Sequence, residues 1–262
     1  MMFLITDENY LDVLNLDDER CSMLPRPEDF SRSVYGAAAV KASPIPRIRM
    51  EEWPDRIADQ RRRRASAKEV WRQSRIGVWN QAETSYCHAF STVMNVAVAR
   101  ERAGLPFKEL SPSSVGGPVT GYTNQGWYIE GDLAQAVKVG VATTEFVPRK
   151  TTRRGDFKPG WQADAAETRV LEFFDGQSRD VELLGSYLLA GYGYTAGLNW
   201  WGHAIWFMDL LDLNTKLPAT DWRRYGFELL NSWGEEWGDK GTAVLNGNKA
   251  IADTFFPILS VT

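Results

Sequence analysis

The chain has 262 residues, of which 44% are hydrophobic and 24% charged, a composition that fits one globular domain, alone or with a short arm, and excludes general disorder. Its formal net charge of −4 argues against a surface that coats nucleic acid, because phosphate binding requires an excess of basic residues. The two cysteines, Cys21 and Cys87, rule out a disulfide framework. A zinc site of the usual kind would need both of them and both histidines.

The amino terminus carries no recognisable export signal, since acidic residues follow the first apolar ones and no basic region precedes them. No stretch approaches the roughly 18 apolar residues that cross a bilayer. We therefore expect a cytoplasmic protein that contacts neither membrane nor nucleic acid. A protein incorporated into a particle would show the same pattern.

Residues 1–62 differ in character from the rest of the chain. They begin with many acids, contain four prolines between positions 25 and 46, and end in a run of arginines at residues 61–64. We interpret them as an arm, partly ordered at best, before a domain at residues 63–262. The arm is either an inhibitory pro-segment cut near the arginines or an assembly arm that contacts a protein partner or a second copy. The arginine run by itself is more typical of a solvated helix face or linker than of a processing site.

The remaining sequence predicts helices first and strands later. Apolar periodicity and turn residues predict helices at residues 87–100, 131–139, 163–174 and 180–189. Runs of aromatic and aliphatic residues predict strands at residues 194–200, 203–213 and 225–231. This order indicates an α+β fold rather than an alternating βαβ sheet.

Cys87 opens the first strong helix, where unpaired N–H groups and the helix dipole stabilise a thiolate. Gln81, six residues earlier, is an amide that could donate to an oxyanion. A lone cysteine at such a position is more often an inert buried residue. Whether Cys87 is a nucleophile therefore depends on whether other segments of the chain supply the residues that would act with it.

Two distant segments together resemble papain-family cysteine peptidases. Around Cys87 the sequence reads Gln-(x)5-Cys-x-Ala-Phe-Ser, and residues 231–241 match Asn-Ser-Trp-Gly-x-x-Trp-Gly-x-x-Gly at every fixed position. His203 opens an apolar strand between them, so the order Cys, His, Asn is also the family's. The resemblance covers residues 66–262 and implies a papain-like two-lobed fold. In that fold a helical left lobe and an antiparallel β right lobe enclose the active-site cleft.

The resemblance implies a peptidase without metal or cofactor, acting on a polypeptide through a thioester acyl-enzyme. Cys87 attacks the carbonyl carbon, and His203 holds the proton as imidazolium and returns it to the leaving group. Asn231 fixes the orientation of the imidazole. Gln81, with the Cys87 backbone N–H, faces the developing oxyanion. Amidase or transpeptidase action would use the same residues.

The resemblance also implies residues that contact the substrate. Trp233 shields the His203–Asn231 hydrogen bond from water, and residues 123–127 of the glycine-containing loop 121–127 form the wall along which an extended peptide lies. Trp201 lines the primed side of the groove or packs in the core. The remaining candidates are on the wall or beside the nucleophile: Asn124, Gln125, Gly126, Trp127, Tyr86 and His88.

Several positions depart from the family pattern. His88 stands where a tryptophan is usual, and it either perturbs the Cys87 pKa or contacts substrate, or is an ordinary surface or capping histidine. Tyr86 replaces a small residue, and Thr84 stands where a cysteine is common, so the chain resembles a divergent bacterial or phage type without disulfides. The alternative function is a papain-fold structural or binding protein that uses the arm for subunit contacts, with activity weak or lost.

Overall fold

The computed structural model describes residues 2–40, 42–176 and 179–262. Its helices are α1 (Tyr10–Val13), α2 (Trp53–Arg63), α3 (Ala67–Gln73), α4 (Cys87–Arg102), α5 (Ser113–Val119), α6 (Ile129–Lys138), α7 (Trp161–Ala165) and α8 (Val181–Leu189). Its strands are β1 (Leu4–Ile5), β2 (Ala39–Val40), β3 (Val170–Phe174), β4 (Tyr194–Leu198), β5 (His203–Asp212), β6 (Tyr225–Leu230), β7 (Thr242–Leu245) and β8 (Thr254–Val261). Within these ranges we find no helix long and apolar enough to cross a membrane.

The strands form one sheet in the order β1-β7-β6-β5-β4-β8-β3-β2. Neighbours from β7 to β3 pair antiparallel, whereas the two outermost strands pair in parallel with β7 and β3. The predicted α+β class is confirmed, with strands that follow the helices forming the antiparallel part of the sheet.

Strand β5 separates two cores. Its residues 203–211 are all buried, because α4 packs on one face and α2 and α8 pack on the other. Trp206 and Met208 join the core beneath α4, and Ile205 and Phe207 join the core on the opposite face. A strand covered on both faces has a nearly continuous apolar sequence, which is why β5 was predictable.

The helix predicted at residues 163–174 is wrong beyond residue 165. A helix forms only at α7, and residues 170–174 form β3 between β8 and β2. The β3 sequence Val-Leu-Glu-Phe-Phe has the β-branched and aromatic composition of a strand, and Phe173 is fully buried. Pairing with the distant β8 decides the conformation, which a local helical period cannot reveal.

The amino-terminal 62 residues contribute to the body of the molecule. They supply β1 and β2, the two edge strands of the sheet, and helix α2. The Trp53 side chain is fully buried among β6 and α8 residues, and it contacts the Tyr225 ring edge-on at a centroid distance of 4.8 Å. The sequence lacks a sustained period there because much of this stretch packs as extended chain.

Candidate active site

The candidate nucleophile is the first residue of α4. Cys87 is fully buried, and its N-cap residue Tyr86 makes no side-chain capping hydrogen bond. The sulfur therefore lies where the helix dipole and free N–H groups favour negative charge. Its Sγ lies 3.8 Å from the Oγ of Ser22, a residue of the amino-terminal region.

The candidate base is the first residue of β5. His203 is fully buried, its Nε2 lies 2.8 Å from Asn231 Oδ1, and its Nδ1 has no hydrogen-bond partner among the described residues. Burial lowers the pKa of His203 to about 4, which the Asn231 hydrogen bond only partly opposes. In this closed arrangement the imidazole is neutral at physiological pH.

The third member of this group follows β6 directly. Asn231 is fixed by its backbone N–H, which donates to the Gly241 carbonyl at 2.9 Å, and its Oδ1 also accepts from the Ser232 N–H at 2.8 Å. The Trp233 and Trp201 rings lie 5.0 and 4.9 Å from the His203 ring. Both tryptophans are buried, so they exclude water from the hydrogen bond between His203 and Asn231.

Gln81 lies beside this group. Its backbone N–H donates to the Ser232 carbonyl at 2.7 Å, and its Oε1 accepts from the Ser232 hydroxyl. Its Nε2 donates to the Thr84 carbonyl at 2.6 Å and approaches the Arg20 carbonyl oxygen at 3.4 Å. The amide expected to face an oxyanion therefore faces a peptide carbonyl of the chain itself.

The expected peptide-binding wall lies across from β5. Asn124 ties it to the segment before Cys87, because its Oδ1 accepts from the Ser85 N–H at 2.7 Å. The Gln125 amide donates within the same loop, to the Thr120 carbonyl at 3.3 Å. Trp127 stacks on Tyr128 at 5.0 Å.

Tyr86 and His88 lie in the interior rather than on an open cleft wall. The Tyr86 hydroxyl donates to the Thr123 carbonyl at 2.9 Å, and His88 Nδ1 lies 2.7 Å from Asp132 Oδ2. His88 and Asp132 are both fully buried. Burial alone would lower the His88 pKa, but the Asp132 carboxylate outweighs it and the net pKa is raised.

Residues 18–24, here called the cleft segment, lie between the wall and the start of β5. The Met23 N–H donates to the Gly202 carbonyl at 2.8 Å, and the Leu24 N–H donates to the Trp127 carbonyl at 3.0 Å. A Cβ added to Gly126 would lie 1.6 Å from the Ser22 carbonyl oxygen, so the close approach there requires glycine.

The cleft segment also contacts the candidate catalytic residues. Besides the Ser22 and Arg20 contacts described above, the Arg20 guanidinium lies over the Trp233 ring at 4.2 Å and forms an ion pair with Asp18 at 2.6 Å. Asp18 is near enough to His203 to influence the charge of its ring. The sequence allowed an inhibitory pro-segment within residues 1–62, but it did not single out residues 18–24, because nothing local distinguishes them.

The described residues contain no group of three or more His, Cys, Asp or Glu side chains arranged to hold a metal ion. The chemistry available is that of a thiol, an imidazole and two amides. The thiol at the start of α4 and the imidazole at the start of β5 both lie against the cleft segment.

No family model and no curated protein matches the sequence significantly. Solved structures do match in fold. Procathepsin L 3 of Tenebrio molitor has a TM-score of 0.63 at 14% identity, over 93% of this chain and 78% of that one. Procathepsin L2 of the same organism has a TM-score of 0.66 at 14% identity, over 99% and 85%. Xylellain, a cysteine protease from Xylella fastidiosa, has a TM-score of 0.56 at 16% identity, over 100% and 96%.

These likenesses span nearly the whole chain, including its first 62 residues. The fold is therefore that of papain-like cysteine peptidases, and the fold implied by the sequence resemblance is confirmed. At such low identities the likeness concerns the fold alone.

Proposed function

We propose that the protein is a papain-like cysteine peptidase whose cleft is closed by its own amino-terminal region. Cys87 is the nucleophile and His203 the general base and acid. Asn231 orients the imidazole, and Gln81 donates to the oxyanion of the tetrahedral intermediate. The product of the first step is a thioester on Cys87, which water hydrolyses.

The observation that carries this proposal is the hydrogen bond between His203 Nε2 and Asn231 Oδ1, which leaves Nδ1 unbonded at the start of β5. Strand β5 packs along α4, which begins at Cys87. The same short segment touches both residues, because Ser22 contacts the Cys87 sulfur and Arg20 lies against Gln81 and His203. A thiol and an imidazole at the two sides of one peptide-filled cleft suit acyl transfer.

The occupied cleft supports a latent form rather than a working one. Cys87, His203 and Gln81 are all fully buried, so no substrate reaches them while residues 18–24 are in place. Two of the solved structures of similar fold bear the name procathepsin in their titles. We therefore favour an inhibitory role for the arm over an assembly role, and the burial alone does not require that the arm be cut.

A second candidate function is a structural or binding protein with the same fold. The observation in its favour is the same burial, because a cleft filled permanently by protein needs no chemistry. It gives no reason, however, for a thiol, an imidazole oriented by Asn231 and the Gln81 amide all to lie along the same short segment.

The two functions differ in the reactivity of Cys87. Intact mass after brief treatment with iodoacetamide or a small epoxide at about pH 6 is compared for wild type, Cys87→Ala and His203→Ala. An ordinary thiol, with a pKa near about 8.5, reacts slowly at this pH, whereas a thiolate–imidazolium pair reacts fast. We expect the wild type to label slowly while closed and rapidly, at one site, under conditions that open the cleft.

Rapid labelling that disappears in both variants supports the activated pair. Labelling that remains slow after opening, and that His203→Ala leaves unchanged, would contradict the peptidase proposal and favour the structural one. Hydrolysis of a denatured protein substrate by the opened wild type, and not by Cys87→Ala, then tests peptidase activity itself.

A further inference from the structure

Residues 2–40 pass through the cleft and also form both edges of the sheet. Strand β1 pairs with β7 at one edge, and β2 pairs with β3 at the other. The cleft segment lies between these two strands in the chain. Removing the cleft segment by cutting the chain after it would therefore also strip β1 from its edge.

The anchor at the first edge is tight. The backbone N–H groups of Asn246 and Val244 donate to the Ile5 and Phe3 carbonyls, each at 2.9 Å. Ile5 is fully buried. The Asp7 carboxylate then accepts from the backbone N–H groups of the turn that follows β7, at 2.9 and 3.0 Å.

The anchor at the second edge follows the cleft segment. The Ala38 carbonyl accepts from the Phe173 N–H at 2.9 Å, and Ala39 pairs with Phe173 in β3. Tyr35 is 1% exposed and contacts the Phe173 ring edge-on at 4.9 Å. An exposed sheet edge is prone to pairing with other chains, so both anchors protect the molecule as well as holding the segment.

Between the cleft segment and the second anchor lies an ionic clasp. Arg26 Nε lies 2.6 Å from Glu130 Oε1, and Arg26 Nη2 lies 2.8 Å from Asp175 Oδ1. Arg32 joins from the surface, at 2.7 Å from Asp175 Oδ2. The side chains of Glu130 and Asp175 are only 2% and 1% exposed, so their negative charges depend on these arginines. The clasp holds the segment to α6 and to the end of β3.

We infer that residues 2–40 are a permanent strap, which opens by releasing the clasp and is not removed by cleavage. The inference rests on the proposed function, since it concerns access to that cleft. Both ends of the strap are built into the sheet, and only its middle covers Cys87. Release of Arg26 would let the cleft segment leave while β1 and β2 stay paired.

The first experiment loosens the clasp without cutting the chain. Arg26→Gln is compared with Arg47→Gln, which removes the same charge from the same region at an exposed ion pair with Asp180, away from the cleft. We expect Arg26→Gln to raise the rate of Cys87 alkylation about tenfold or more at unchanged intact mass before alkylation, because Cys87 is inaccessible when closed. Arg47→Gln should react at the wild-type rate.

Arg32→Gln provides a milder variant should Arg26→Gln fail to fold, since the Arg32 side chain is 47% exposed. Arg26→Lys should restore only part of the closure, because one ammonium group cannot bridge two carboxylates as the guanidinium does. Labelling confined to molecules that have lost the amino-terminal segment would overturn the inference. So would an unchanged rate in both Arg26→Gln and Arg32→Gln.

A second experiment tests whether the strap stays bound to the rest of the molecule after the chain is cut. A recognition sequence for a site-specific protease is inserted between Glu28 and Asp29, which are both exposed, and the chain is cut there. We expect both fragments to stay together on native size exclusion and to separate only in denaturant. Release of the small fragment under native conditions would refute a permanent strap. If Arg26→Gln labels rapidly yet no opened form cleaves peptides, the strap stands and the peptidase function fails.

Discussion

His203 and Asn231 hold one tautomer of the imidazole. Asn231 Oδ1 accepts from the Ser232 N–H, which identifies it as the oxygen of the amide, and an amide oxygen can only accept from His203 Nε2. The proton of the neutral ring is therefore on Nε2. Nδ1 then carries the lone pair, and it is the atom that can take a proton from a thiol.

Replacing Asn231 tests this orientation. We expect Asn231→Ala to slow Cys87 alkylation and peptide hydrolysis by about one to two orders of magnitude, which is less than the loss of the base itself. Asn231→Asp keeps an acceptor for both donors and should retain more activity. Rates are measured in the Arg26→Gln background as well as in the wild type. Equal rates for Asn231→Ala and its parent would show that the orienting hydrogen bond has no catalytic role.

Substitution of Gln81 should affect two reactions of the Cys87 thiol, alkylation and peptide hydrolysis, differently. Alkylation by iodoacetamide forms no oxyanion, whereas peptide hydrolysis passes through one. We expect Gln81→Ala to lower kcat for peptides about 10²–10³-fold and to change the alkylation rate little. Ser232→Ala is the control, since it removes the hydroxyl that contacts Gln81 and keeps the amide donor. An equal loss in both reactions would indicate a collapsed site instead of a missing donor.

The sequence predicts the site better than it predicts what covers it. Cys87, His203 and Asn231 are marked by local motifs, and α4 and β5 have clear apolar patterns. The strap shows neither a motif nor an apolar pattern, because its contacts are remote in sequence. Ser22 contacts Ser85, which lies 63 positions away, and Arg26 contacts Asp175, which lies 149 positions away. The misassigned strand at residues 170–174 has the same cause, since its pairing partners β2 and β8 lie at distant parts of the chain.

The buried pair of His88 and Asp132 stabilises the connection between α4 and α6. We expect Asp132→Leu to destabilise the protein by about 3 kcal/mol, because it removes one partner of a buried, hydrogen-bonded pair. The double variant His88→Phe/Asp132→Leu should cost less than the sum of the two single changes. Urea unfolding of the four proteins measures this coupling. Strict additivity would mean that the contact contributes nothing beyond the separate side chains.

Substitution of Trp53 tests whether the arm unfolds cooperatively with the rest of the protein. We expect Trp53→Ala to cost about 3–5 kcal/mol, as for other large core residues. Gly185→Ala should also destabilise, since a Cβ there would lie 2.3 Å from the Trp53 ring. Leu11→Ala is the control, because that side chain is 64% exposed. Thermal unfolding that Trp53→Ala leaves unchanged would place residues 53–63 outside the cooperative unit.

The pKa of His203 gives the closed protein a specific sensitivity to acid. Burial lowers this pKa from the ordinary value near 6.5 to about 4, so the folded protein binds fewer protons than the unfolded chain between these pH values. The free energy of unfolding should therefore fall as the pH drops through that window, by up to about 3 kcal/mol from this group. His203→Gln keeps a donor for Asn231 and has no such titration. The measurement is the difference in unfolding free energy between wild type and His203→Gln at pH 7.5, 6, 5 and 4. We expect the wild type to lose stability relative to the variant as the pH falls, and a constant difference would show that the ring keeps its ordinary pKa in the closed cleft.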